Sequence, residues 1–294
     1  MIYWTPHTGA HPVSGSILAT WAAEGYKKGP HGYPVEDPVQ DRKIKNKQQF
    51  ENGALSGYSR TIEELGENIG ISGEELDKTV ELLIEDFEKH HIDVETGFAD
   101  LLKRAQESLA FNQSQLNTPN STRTRSVDEA DGCHWVPPGS TSTVRGDVFY
   151  SIATTYTINH GHNGIFLDGG KPAKKLSTVE AVNPAKGVRV MHGWSQIGVC
   201  KPKLLHVNTD EATRDAAARF AEHQKLKDYN RNFLTTRLGP YEKDSYNCAE
   251  LVWKTYKYAS GGGLDIGERY PYEPYSAAVF TSDILRSHNT TLYR

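Results

Sequence analysis

Between residues 147 and 207 the chain is a series of short apolar segments broken by Gly, Pro and Asn. Asp147-Val148-Phe149-Tyr150-Ser151-Ile152 is the first, and 163–167, 178–182, 187–191 and 204–207 follow. Runs of that length bounded by turn residues read as strands. Helical stretches come after them. Asn208-Thr209-Asp210-Glu211 opens a helix expected to run to about Tyr229, and another begins near Cys248. Strands first and helices after predict an α+β domain with an antiparallel sheet.

Three different textures precede that domain, which is taken as 132–294. Residues 1–59 are dense in Gly, Pro, Trp and Tyr, with turn signals such as Ser14-Gly15 and Lys28-Gly29-Pro30. One short helix fits there, with Ile17, Leu18, Trp21 and Ala22 at helical spacing. Residues 60–117 carry two apolar stripes. Leu76, Val80, Leu83 and Phe87 form one; Phe98, Leu101, Leu102, Ala105 and Leu109 form the other. Two helices packed as a hairpin are expected, the first opened by a capping box at Ser72-Gly73-Glu74-Glu75. This stretch reads as a spacer or as a partner-binding face. Residues 118–131 are polar without period and read as a linker.

The totals narrow the partners. At 294 residues two domains are a fair prior, and 37% hydrophobic residues suffice for a packed core. A net charge of −4 argues against nucleic acid or an anionic membrane surface, both of which favour a basic face. No apolar run reaches the roughly 18 residues of a bilayer span. Met1-Ile2-Tyr3-Trp4 lacks the charged and apolar regions of a signal peptide. Three cysteines, Cys133, Cys200 and Cys248, leave at least one thiol free in a monomer. A Cys133–Cys200 bridge in an oxidising compartment is open. The absence of a CxxC spacing argues against structural zinc.

The stretch "SYNCAELVWKTYKYA" (245–259) carries the most chemistry. Ser245 and Asn247 are N-cap types, which places Cys248 in the first turn of a helix. A helix start bears roughly half a positive charge, and a cysteine placed there tends toward the thiolate. The same free N–H groups can receive an oxyanion. The competing reading is a core thiol, since Cys248, Leu251, Val252, Thr255 and Ala259 share one face.

A nucleophile needs a base. "NHGHNGIF" (159–166) offers His160 and His162 just where a strand begins. Two imidazoles two apart on a strand share a side, as metal ligands would, but no third ligand is evident and no metal or cofactor is expected. One working imidazole, His162, with His160 shaping the loop, is the simpler reading. Such a ring wants an acceptor on its other nitrogen. Glu180, a carboxylate between apolar neighbours in "TVEAV", is the candidate, against an edge-strand Glu facing water. Tyr246, His160 and Tyr150 are candidates for substrate or oxyanion contact, with packing as the alternative for the tyrosines.

With these residues in view, 132–294 resembles the permuted papain-fold amidases, the YiiX/YycO-like relatives of the NlpC-type cell-wall peptidases. "GDVFYS" (146–151), "GHNGIF" (161–166), "VEAV" (179–182) and "YNCAELVWKTY" (246–256) carry the likeness. In that permuted branch His precedes Cys, as here. The resemblance implies Cys248 as nucleophile, His162 as base and Glu180 as orienting group. Residues 2 to about 58 are similar to an LGFP repeat, through "IYWTPHTGAHPVSGSILATWAAEG", "HGYPVEDP" and "QQFENGAL". "PHGYP" stands in place of the eponymous motif, with His31 at the leucine-like position. Such repeats imply a secreted or envelope-associated protein anchored to the cell wall. The joint expectation is a cysteine hydrolase cleaving an amide in peptidoglycan peptides. The alternatives are an acyltransferase or lipid/thioester hydrolase on the same fold, with an apolar cleft around Tyr150, Tyr156, Phe166 or Trp194, and a non-catalytic wall-binding protein.

Overall fold

A computed structural model describes residues 1–41, 45–116, 142–155, 158–172, 175–193, 200–271 and 273–293. Cys133, Tyr156, Trp194 and the 118–131 linker lie outside them, and so does the side chain of Cys200. The fold is mixed α/β with antiparallel sheets, and the chain divides into two compact units, Met1–Lys103 and Arg104–Arg294.

In the first unit, β1 (Ile2–Thr5) and β2 (Gly9–Pro12) form a hairpin, followed by α1 (Gly15–Ala23). β3 (Val39–Asp41), β4 (Lys45–Phe50) and β5 (Gly53–Tyr58) make an antiparallel sheet. Four apolar side chains, Val13, Ile17, Trp21 and Phe50, supply a small core. The Trp21 ring meets Tyr3 edge-on at 4.5 Å, and its N–H donates to the Gly32 carbonyl at 2.9 Å. A buried indole needs such a partner.

The 60–117 stretch forms three helices where two were expected: α2 (Arg60–Ile69), α3 (Gly73–Lys89) and α4 (Val94–Leu116). α2 buries only Ile62, Leu65 and Gly66, too short a stripe to stand out. Leu76, Val80, Leu83 and Phe87 of α3 are all buried, as are Phe98, Leu101 and Ala105 of α4. Ser72 takes the N-cap of α3, but its side chain makes no capping hydrogen bond. Gly73 follows it with a left-handed φ of 58°, so the expected capping box is not formed.

The second unit is built on a six-stranded antiparallel sheet. Its strands are β6 (Val148–Ile152), β9 (His162–Phe166), β10 (Ser177–Ala181), β11 (Val188–His192), β12 (Cys200–Val207) and β15 (Thr290–Leu292). They lie in the order β11-β10-β9-β6-β12-β15. β7 (Thr154–Thr155) and β8 (Ile158–Asn159) pair between β6 and β9 in the chain. Alternation along the strands feeds two apolar layers. Val148, Ile165, Val179, Leu205 and Val207 join α5 (Glu211–His223) and α6 (Cys248–Ala259) in the larger core, while Phe149, Phe166, Leu176 and Leu204 form a second. α5 stops at His223, short of the expected Tyr229. Leu226 turns the chain with φ 73°, and Asp228–Tyr229 becomes β13, pairing parallel with β14 (Ser245–Tyr246). α7 (Thr281–Leu285) precedes the last strand.

Candidate functional site

The β13–β14 ladder delivers the chain directly into α6, whose first residue is Cys248. Asn247 takes the N-cap in extended backbone, with φ −87° and ψ 171°. Its side-chain oxygen accepts from the Glu250 amide at 2.8 Å, and the Glu250 carboxylate accepts from the Asn247 amide at 3.4 Å. This is a reciprocal capping box, buried on both sides. Lys243 and Asn230 hold the same carboxylate at 2.6 and 2.9 Å, and the Asn247 amide group donates to the Asn232 carbonyl at 3.1 Å. The cysteine is thus placed by a network of buried polar groups that satisfy one another. The backbone amides of Cys248 and Ala249 donate to no group among the described residues. That is the ordinary condition of a helix start, and it leaves two donors beside the sulfur.

His162 opens β9, opposite Ser151 of β6. Its Nε2 lies 2.8 Å from Glu180 Oε2, and Cys248 is the second group whose proximity and charge act on the ring. Nε2 being taken, Nδ1 is the nitrogen left for the sulfur. The side chains of His162 and Glu180 are 13% and 5% exposed, so this contact is shielded from water. Burial works against the charged imidazole. The proximity of Cys248 and Glu180, and the negative charge of both, outweigh it and push the ring up to about 10.

Glu180 reaches the ring because of the register. β10 pairs with β9 through Val179↔Ile165 and Thr178↔Phe166, which sets Glu180 beside Gly164. A Cβ on Gly164 would come within 2.5 Å of the Phe149 ring and 2.8 Å of Glu180 Cγ. Only glycine leaves this corridor open. The other carboxylate oxygen accepts from the Thr178 hydroxyl. A buried carboxylate is tolerable when both oxygens are engaged in this way.

His160 lies in the preceding loop. Its Nδ1 is 2.7 Å from the Gly161 carbonyl oxygen and its ring is 5.5 Å from that of Phe233. Burial, and to a lesser degree the charge of His162, lower it to about 4 against the opposing pull of the Gly161 carbonyl, so it is neutral near pH 7. The Tyr150 hydroxyl donates to Asn112 at 2.6 Å. The Tyr246 hydroxyl accepts from the Lys243 amide at 2.9 Å and lies 2.8 Å from the Tyr241 carbonyl oxygen and 3.0 Å from Gln224 Oε1. Both phenols are fully buried and committed to protein partners. The structure therefore brings together Cys248, His162 and Glu180, with His160 in the adjoining loop. Among the described residues no group of three His, Cys, Asp or Glu side chains is arranged to hold a metal ion.

Three neighbours were not singled out from sequence. Thr178 is legible in hindsight, because residues two apart on a strand share a side. Gly164 inside a buried strand is a known sign of close approach. Tyr229 faces Cys248 electrostatically; burial and the charge of Cys248 both raise its phenol. It was expected inside a helix, so no signal pointed to it.

The family model of the LGFP repeat matches residues 1–29. The chain is also similar to the uncharacterized protein YycO of Bacillus subtilis (strain 168), with 25% identity over 150 residues. That alignment covers 51% of this chain and 55% of YycO, so the chain spans about half the length of that relative. No helix among the described residues is long and apolar enough to cross a membrane.

Proposed function

We propose that the second unit is a cysteine hydrolase of permuted papain type acting on amide bonds, with peptidoglycan peptides as its substrate class. The observation that carries this reading is His162 held between Glu180 and a cysteine at the first position of a helix. Cys248 attacks as the thiolate, the nucleophilic form of any cysteine. Its sulfur bonds to the carbonyl carbon as the π pair moves onto oxygen. The free amides at the start of α6 receive that oxyanion. On collapse the C–N bond breaks, and protonated His162 gives its proton to the departing amine. Neutral His162 then takes a proton from water, the resulting hydroxide attacks the thioester, and the thiolate leaves. Glu180 holds the ring in the tautomer and orientation this requires.

Cys248 has no exposed surface, whereas His162, 13% exposed, and Tyr229 each keep some surface in contact with solvent. The substrate carbonyl therefore reaches the sulfur from the side of those two rings. The LGFP match supports association with the cell wall and an extracellular or envelope location. In that unit Trp4 is 65% exposed. Sedimentation of the full chain with purified walls is expected to weaken in a Trp4→Ala variant.

The functional test offers purified muropeptides and acyl esters to the wild type and to Cys248→Ala. Consumption of the muropeptides alone, lost in the variant, supports the reading. Consumption of the esters alone moves the same site to acyl chemistry, and activity surviving in Cys248→Ala removes the site altogether.

A further inference from the structure

Within the second unit, α4 presents side chains at positions 104, 107, 108, 111, 112 and 115, the three- and four-residue steps of one helix face. Arg104 donates to Glu273 at 2.8 Å and to Asp283 at 3.2 Å, and Glu107 accepts from Arg269 at 3.1 Å. The Ser108 hydroxyl bonds to that of Ser282 at 2.8 Å, and the Arg286 guanidinium lies 4.8 Å from the centre of the Phe111 ring. Asn112 accepts from Tyr150 and Gln115 from Lys203, both at 2.6 Å. Gln106, Ala110 and Gln113, on the opposite side, are exposed. The face is largely polar, and each of these six side chains meets at least one partner of complementary chemistry.

Several of these contacts converge on the backbone just before His162. Gly161 has a left-handed φ of 69°. A Cβ there would lie 2.5 Å from the Thr281 hydroxyl, 2.9 Å from the Tyr150 ring and 3.1 Å from Asn112 Oδ1. The Thr281 hydroxyl donates to the His160 carbonyl, and the Gly161 amide donates to Ala153 at 3.3 Å. Tyr150 also stands opposite Asn163, the residue after His162. The loop is therefore enclosed by α4, β6 and the start of α7. The Arg104 ion pairs tie α4 to the same segment that carries Thr281.

We propose that the second half of α4 is a positioning element of the active site: Asn112, through Tyr150 and the cradle around Gly161, sets the reach of His162 toward Cys248 and Glu180. The inference rests on His162 being the base of the proposed hydrolase. It assigns residues 104–115 to the working domain and not to a spacer. Asn112 touches no reacting atom and acts through the loop.

The test uses the full chain with Asn112→Leu, which keeps the volume and removes the acceptor, and Asn112→Asp, which keeps an acceptor. Two quantities are read: the titration of the His162 ring by NMR of ¹⁵N-histidine-labelled protein, and kcat and KM on an amide substrate. Cys248, Glu180 and His160 are the titratable groups facing that ring. In Asn112→Leu the His162 midpoint is expected to fall by about one unit, a tenfold change in its protonation equilibrium. The kcat is expected to fall by roughly tenfold with KM little changed, the pattern of a lost transition-state contribution. Asn112→Asp restores both. A folded Asn112→Leu protein with the wild-type His162 titration overturns the proposal. Should that variant not fold, Thr281→Val, which removes only the donor to the His160 carbonyl, is held to the same outcome. A wild type that cleaves no amide, while the titration still responds to Asn112→Leu, refutes the hydrolase reading and leaves the positioning role standing.

Discussion

Glu180 Oε2 sits 2.8 Å from Nε2 of His162, in a pocket where both side chains are almost wholly buried. The contact fixes which ring nitrogen remains for Cys248, and with it the direction of proton transfer. Glu180→Gln keeps the shape and removes the charge. The His162 ring is then expected to titrate below the wild-type value of about 10. The kcat on an amide is expected to fall by roughly 10²-fold or more, the scale of a general acid–base contribution. NMR titration and steady-state kinetics on the same preparation check both.

Gly164 tests the corridor between the two side chains. An added methyl at this position strikes the Phe149 ring and the Glu180 side chain. Gly164→Ala is expected to cost about 1–3 kcal/mol through overpacking and to break the Glu180–His162 contact. Urea unfolding gives the stability, and loss of the raised His162 titration gives the contact. A Ser177→Ala control on the same sheet, at a half-buried position, is expected to leave that titration in place.

The two histidines pull stability in opposite directions with pH. His162 rises from 6.5 to about 10 on folding, so its contribution is complete below pH 6.5 and is lost as pH climbs through 10. His160 falls from 6.5 to about 4, so its contribution is present above pH 6.5 and is lost as pH drops through 4. In urea unfolding the gap between wild type and His162→Gln is expected to shrink from pH 7 to pH 10, while His160→Gln flattens the loss of stability on the acid side.

Arg104 is 12% exposed and bridges Glu273 and Asp283, at 8% and 3%. Removing the guanidinium takes one cation from each of two buried carboxylates, while Arg269 remains beside both, 3.0 Å from Glu273 and 3.6 Å from Asp283. Arg104→Ala is expected to destabilise the second unit by about 1.5–3 kcal/mol, the scale of lost charge-assisted hydrogen bonds. Thermal and denaturant unfolding measure this directly, and Arg104→Lys, which cannot hold two carboxylates in a planar fork, is expected to recover only part.

What could be read from the sequence follows the range of the interactions. The antiparallel sheet, the apolar stripes of α3 and α4 and the Asn247 cap are local patterns of period or spacing, and they are visible residue by residue. Cys248 at the first turn follows from four consecutive letters. Contacts such as Asn112–Tyr150 and Arg104–Asp283 join polar residues 38 and 179 positions apart, and no periodicity marks them. α5 ends at His223, and three residues on Leu226 adopts a left-handed backbone, which a leucine rarely does. The same departure converted Tyr229 from an expected helix residue into a strand neighbour of the candidate nucleophile.

The central claim is that Cys248 is a nucleophile made competent by His162, and covalent labelling tests it most directly. The full-length protein is treated near neutral pH with a small electrophile such as iodoacetamide, and the adduct is located by peptide mass spectrometry, which separates Cys248 from Cys133 and Cys200. The account predicts modification at Cys248, at a rate at least about tenfold lower in His162→Ala, the scale of a lost base. A Cys248 that stays unmodified, or one modified as fast without the imidazole, would contradict it.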